Sequence, residues 1–299
     1  LSRAAALFAG CVLATTASGA EPSAKEAALW ESLRGRVLEV ERKLDGVLGL
    51  SLKDLASGRT LEIRPDEVFP QASTIKWTIL YELYRQAEEG RIDLAEATRP
   101  GLPRAGGSGM LQFLSDKLSL TWRDAAVLMM GLSDNEATNL LIARLGLESV
   151  NRRLESLGLQ KTRLLRRMMD LEAARRGDEN VATPAEMRGL LEAIRSGKGL
   201  SAARVKDLLD VAATPKSAPF RRFLPERVRV ADKPGSLEGV RAAAALVELK
   251  QRPYAVAIAT TYLKRDDDGE DTIAEISRLV YETFDRLDRA AETGRLIGR

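Results

Sequence analysis

Apolar positions recur at helical spacing in some stretches of the chain and alternate, or run without interruption, in others. Residues 25–44 carry Leu29, Leu33, Val37, Val40 and Leu44 between charged positions, the stripe of a surface helix that buries one face. Residues 47–53 read as a strand, Ala56-Ser57-Gly58-Arg59 as a turn and residues 60–63 as the return strand of a hairpin that Pro65 ends. The stretch Phe69-Pro70-Gln71-Ala72-Ser73-Thr74-Ile75-Lys76 then reads as a loop running into a helix, with Ile75, Ile79, Leu80 and Leu83 in helical register. Helical patterns dominate as far as about residue 208. They are clearest at 123–130, 135–145 and 184–195, the last opened by Thr183-Pro184. Residues 161–182 are charged and weakly periodic, either a surface helix or a large loop. Strand patterns return at 227–232, 240–249 and 254–261, with turns expected at Gly235-Ser236 and at Lys250-Gln251-Arg252-Pro253. Residues 265–270 read as a solvated turn and 272–287 as a closing helix.

Strands at both ends and helices between them predict an α/β (α+β) fold. A five-stranded antiparallel sheet is built from the two terminal segments, flanked by terminal helices, with an all-helical domain inserted. The boundaries expected are 21–72 with 208–299 for the sheet domain and 73–207 for the helical one. Ahead of these, Arg3 is followed by an apolar run over 4–14 and by small residues, with Ser18 and Ala20 placed as at a signal-peptidase site. This predicts a signal peptide over 1–20, a mature start near Glu21 and export to the periplasm or medium. The alternative is a lipoprotein site at Phe8-Ala9-Gly10-Cys11 with Cys11 lipidated.

Composition removes whole mechanisms. The chain has no histidine, which excludes Ser-His-Asp and Cys-His catalysis and the usual imidazole zinc sites. A single cysteine, Cys11, leaves no intrachain disulfide and no four-cysteine metal site. The formal charge of +3 comes without a basic run interleaved with aromatics, so no nucleic-acid partner is expected. A serine enzyme built from this chain needs lysine or a carboxylate as its base.

Three short motifs supply such chemistry, and each also has a plain structural reading. Ser73 is the only serine with a lysine three residues on, so on a helix the Lys76 amine shares its face and reaches its hydroxyl. Free backbone N–H groups at the helix start complete a minimal acyl-transfer apparatus. The plain reading is a helix start with a solvated lysine. Leu132-Ser133-Asp134-Asn135-Glu136 is either a helix N-cap or a hydroxyl and an amide directed into a cleft. Lys233-Pro234-Gly235-Ser236 is either an ordinary turn or an ammonium and a backbone donor at a strand edge, with Gly235 allowing close approach.

In this order the three motifs resemble those of the class A serine β-lactamases and the penicillin-recognising enzymes around them. The resemblance runs from about residue 25 to 287 and includes Gly107-Ser108-Gly109-Met110-Leu111 and Asn135-Glu136-Ala137-Thr138-Asn139-Leu140-Leu141. It implies a monomeric hydrolase, without metal or cofactor, that takes a small β-lactam or an acyl-D-Ala-D-Ala-like substrate. Ser73 is then the nucleophile, Lys76 the base for acylation, and Ser133 the donor to the leaving nitrogen. Asn135 holds the substrate's side-chain amide, and Lys233 and Ser236 bind its carboxylate. The N–H groups of Ser73 and Ser236 form the oxyanion hole, where one donor is typically worth about 2.7–4 kcal/mol.

The sequence departs from that pattern in two places. The family's loop glutamate, which activates the deacylating water, belongs in a Glu-x-x-Leu-Asn motif. Here the region reads Arg166-Arg167-Met168-Met169-Asp170-Leu171-Glu172, which puts Met168 at the glutamate position. Either Glu172 takes over that water, or Asp170 does, or the acyl-enzyme stalls as in a penicillin-binding protein or D,D-peptidase. Both acids also read as salt links to neighbouring arginines. After the last motif, Arg241 is the only nearby cation for an additional carboxylate contact, and Pro234 replaces the usual hydroxyl residue.

Overall fold

The computed structural model describes residues 23–101, 104–115, 117–291 and 293–297. The expected signal peptide and Cys11 lie outside them. Helix α1 (Ala24–Lys43), started by the Ser23 hydroxyl accepting from the Glu26 N–H, leads into β1 (Val47–Asp54) and β2 (Thr60–Ile63). A two-residue strand β3 (Phe69–Pro70) and a 3₁₀ turn over Ala72–Ile75 precede α2 (Lys76–Glu88). The short strands β4 (Ala97–Thr98) and β5 (Leu120–Thr121) pair, and α3 (Trp122–Gly131) follows behind a Thr121–Asp124 capping box. Then come α4 (Asn135–Leu145), α5 (Leu147–Ser156), α6 (Leu171–Arg175), β6 (Val181–Ala182), α7 (Pro184–Arg195) and α8 (Ala202–Ala212). The chain closes with β7 (Arg229–Leu237), β8 (Val240–Glu248), β9 (Tyr254–Thr261) and α9 (Asp266–Arg289).

The five long strands form one antiparallel sheet in the order β2-β1-β9-β8-β7, so both terminal segments contribute, as the sequence predicts. Side chains alternate across it. Ala243, Ala245 and Val247 of β8 join the core under α1 and α9 with Trp30, Val37 and Phe284. Ala244 and Leu246 face the helices and share one continuous core with α2, α3, α4 and α7. Alanine on both faces lets helices approach closely, and the Trp77 indole of α2 donates to the Ala244 carbonyl at 3.1 Å.

Two expectations change. The β7 strand does not stop at 232: Lys233, Pro234, Gly235 and Ser236 are paired with Ala244, Ala243, Ala242 and Arg241, and the reversal falls at Glu238–Gly239. Pro234 is tolerated because β7 is an edge strand, where a missing donor need not break a ladder. The run from Asp266 is also not a solvated turn but the first turn of α9, where three aspartates face the positive end of the helix dipole. Residues 161–182 resolve into a large loop holding only the short α6. Its ends are joined where Arg163 and Val181 exchange backbone hydrogen bonds of 2.8 and 3.0 Å.

The approach to Ser73 is fixed from both sides. Phe69 of β3 pairs with Ala182 of β6 and packs over Gly49 in the middle of β1. A methyl on Gly49 would stand 2.5 Å from the Phe69 ring and 2.9 Å from Pro184. The Gly49→Ala variant is therefore expected to lose about 1–3 kcal/mol of unfolding free energy by overpacking. Urea unfolding checks this, and an unchanged midpoint would show that the contact yields.

Candidate active site

Ser73 lies in the 3₁₀ turn rather than in a regular helix, held by Ala72 at φ 46, a left-handed conformation that is uncommon for a residue with a side chain. Ser133 is also left-handed, at φ 54, between α3 and α4. What holds it there is the next residue. Asp134 is buried and caps α4 through the Ala137 N–H, while its other oxygen accepts from the N–H groups of Met110 at 2.6 Å and Leu111 at 2.9 Å. The glycines of Gly107-Ser108-Gly109 let that loop close around it. A Cβ on Gly109 would fall 2.3 Å from the Asp134 carboxyl carbon.

These constraints bring the two serines together. The Ser133 and Ser73 hydroxyl oxygens are 2.9 Å apart, and the Lys76 ammonium reaches the Ser133 hydroxyl at 3.1 Å, the Ser133 carbonyl at 2.8 Å and the Asn135 carboxamide oxygen at 3.2 Å. Among the described hydrogen bonds Lys76 makes none with Ser73. Ser133 stands between them, so the direct contact expected from the three-residue spacing is replaced by a relay. Asn135 also donates to the Gly106 carbonyl at 3.1 Å, and its amide keeps a second hydrogen and a second lone pair for a ligand.

Lys233 enters from β7. Gly235 leaves room for the strand to press on the 3₁₀ turn: a Cβ there would meet the Gln71 carbonyl at 2.6 Å and the Thr74 hydroxyl at 2.7 Å. Lys233 lies on the same strand face two residues earlier, 1% exposed, and its ammonium has one acceptor among the described residues, the Pro234 carbonyl at 3.1 Å. Ammonium groups carry three donors, so this one is left with room for an anion. Burial, then repulsion from Lys216, brings its pKa down to about 7, with Asp232 opposing. Lys76, fully buried, is held well below the ordinary lysine value, first by burial and then by Lys233, against the pull of Asp134. Desolvation disfavours the charged form, and a lysine so placed is fitted to accept a proton.

The side chains of three predicted residues are not brought to this cluster. Ser236 follows Gly235 and so faces the other side of the sheet, together with its cross-strand partner Arg241. The Arg241 guanidinium pairs there with Asp266 and Glu270, both at 3.1 Å, and donates to the Leu237 and Val240 carbonyls. It is a tie to α9, turned away from Lys233. Glu172 sits exposed in the first turn of α6, and no hydrogen bond or ion pair of its side chain occurs among the described residues. Asp170 caps α6 by accepting from the Ala173 N–H at 2.9 Å.

Asn139 was quoted in the sequence without a role. One helical turn after Asn135, its carboxamide accepts from the Met168 N–H at 2.8 Å and donates to the Met168 carbonyl at 3.1 Å. The four-residue spacing put it on the face of Asn135, but only the fold shows what it grips. Met168 is thus the loop residue clamped to α4, and Met169, left-handed at φ 61 and 43% exposed, lies against Gly107. Lys216 was missed altogether.

Comparison with known proteins places the chain in a family. The model of the beta-lactamase enzyme family matches residues 32–284. Beta-lactamase SME-1 of Serratia marcescens is 28% identical over 299 aligned positions, covering 93% of this chain and 96% of its own. The beta-lactamase of Sphaerobacter thermophilus superposes with a TM-score of 0.77 at 29% identity, covering 85% of this chain and 97% of its own. PBP-A gives a TM-score of 0.77 at 28% identity over 85% and 96%, and a variant of PBP-A has been solved as an acyl-enzyme complex with penicillin-G. The chain belongs to the beta-lactamase enzyme family, as a class A-type serine hydrolase whose loop lacks the usual glutamate.

Proposed function

We propose that this protein opens β-lactams through an acyl-enzyme on Ser73, and that release of the acyl group is its slow step. The observation that carries the first half is the relay from Ser73 through Ser133 to Lys76, with hydroxyl and amine spacings of 2.9 and 3.1 Å. In this reading the Ser73 Oγ–carbon bond forms as the lactam C–N bond breaks. The proton leaving Ser73 passes by way of Ser133 and the neutral Lys76 amine, and ends on the lactam nitrogen. Asn135 takes the substrate's side-chain amide and Lys233 its carboxylate. The backbone N–H groups of Ser73 and Ser236 serve as oxyanion donors. The apolar run and small residues at 4–20 support export, so the reaction is placed outside the cytoplasm.

The second half rests on Met168. Its thioether offers no base where the Asn139 clamp fixes the loop, and an ester persists without an activated water. Glu172 remains the acid assigned to that water, acting from solvent and hence slowly. A second reading, a D,D-peptidase or penicillin-binding relative working on acyl-D-Ala-D-Ala-like peptides, shares the acylation step and is favoured by the same methionine.

A time course of intact mass with penicillin-G tests these readings, since it follows gain and loss of the adduct together. Ser73→Ala is expected to gain no adduct; labelling of that variant at the wild-type rate removes Ser73 as nucleophile. Met168→Glu is expected to acylate as before and to lose the adduct about 10²-fold faster or more, the usual range for a placed general base. Glu172→Gln is expected to acylate normally and lose the adduct more slowly; loss at the wild-type rate takes Glu172 out of the mechanism.

A further inference from the structure

Beside Lys233, at the edge strand β7, stands a second buried cation. Lys216 lies on the segment between α8 and β7, its side chain 4% exposed. Its ammonium donates to the Ala212 carbonyl at the end of α8 (2.7 Å), to the Asp232 carbonyl (3.1 Å) and to the Asp232 carboxylate (3.4 Å). The Asp232 carbonyl belongs to the peptide that joins Asp232 to Lys233, so Lys216 grips the backbone directly before the anion-binding lysine. Arg221 braces the same place, donating to the Asp232 carboxylate at 2.8 Å and to the Val230 carbonyl at 2.6 Å. One Asp232 oxygen is buried without a partner.

The charges do not cancel around Lys233. Asp232 is the one carboxylate that acts on it appreciably, and it is shared with Lys216 and Arg221. Lys76 of α2 faces it from the catalytic side, accompanied by Asp134. Within these elements Lys216 adds a positive charge for which Lys233 has no compensating contact. An incoming carboxylate supplies that compensation.

We propose that Lys216 is a positioning residue for anion capture: it fixes the Asp232–Lys233 peptide at the sheet edge and makes carboxylate binding at Lys233 proton-coupled. Above neutrality the empty site holds Lys233 largely as a neutral amine. A carboxylate then binds together with one proton from solvent, forming an ammonium–carboxylate pair. This rests on the carboxylate-binding role given to Lys233 in the proposed function.

The test is the titration of the Lys233 side chain in the unliganded protein, followed by the ¹³Cε shift in lysine-labelled samples and assigned with Lys233→Arg. The unsubstituted protein is expected to titrate near 7. Lys216→Gln, which keeps a donor for the Asp232 carbonyl, and Lys216→Met, which does not, both remove the charge. Each is expected to raise the midpoint by about one unit or more, because one repulsive neighbour is gone while Asp232, still paired with Arg221, remains. Lys216→Arg is expected to restore it. The high-pH limb of penicillin-G acylation should move up in step. An unmoved or lowered midpoint in whichever charge-removing variant folds overturns the proposal. Absence of any penicillin adduct in the unsubstituted protein would instead count against the acyl-enzyme reading, and the Lys233 titration would still decide the role of Lys216.

Discussion

The arrangement depends on keeping two lysine amines out of water at the seam between the sheet and the helices. Transferring an ammonium into such surroundings costs several kcal/mol unless it is paired or neutralised. Among the described residues no carboxylate is in direct hydrogen-bonding contact with Lys76 or Lys233. Lys76 is surrounded by the Ser133 carbonyl, the Ser133 hydroxyl and the Asn135 carboxamide, all neutral acceptors. With only neutral acceptors in hydrogen-bonding contact, burial is the largest influence on this amine and favours its neutral, basic form.

That choice places demands on the backbone. Ser133 reaches both the Ser73 hydroxyl and the Lys76 amine from a left-handed conformation, and Ala72, directly before Ser73, holds another. Each such residue carries strain of order 1–3 kcal/mol. The buried Asp134 offsets part of it with three backbone donors, two from the 104–111 region and one from α4. Gly235 plays the corresponding part on the sheet side, where any side chain would separate β7 from the turn that carries Ser73.

The architecture was legible because burial and period agree along most of the chain. Residues 135–145, 184–195 and 254–261 stand within the predicted bounds. Where local chemistry competed with pairing, pairing won: Pro-Gly-Ser reads as a turn, yet the edge position lets β7 run through it. The meeting of Ser73, Lys76, Ser133 and Asn135 was legible from the order of their motifs. Arg241 was not, because a one-residue step reverses the face of a strand and no spacing reveals where the facing helix begins. Lys216 escaped notice because its meaning lies in partners sixteen residues away across the sheet edge, and a lone lysine in a Thr-Pro-Lys-Ser segment looks like surface. The grip of Asn139 on Met168 likewise joins positions 29 residues apart.

The helices and the sheet are not two bodies resting on each other. Alanines and Leu246 from the middle strands belong to the same apolar interior as α2 to α5, α7 and α8. Swinging the halves apart would wet that interior, so a ligand meets the cleft at its rim, where Met169 lies against Gly107. Discrimination among ligands then resides in how that rim fits a side chain in an otherwise stiff vessel, rather than in a closing jaw.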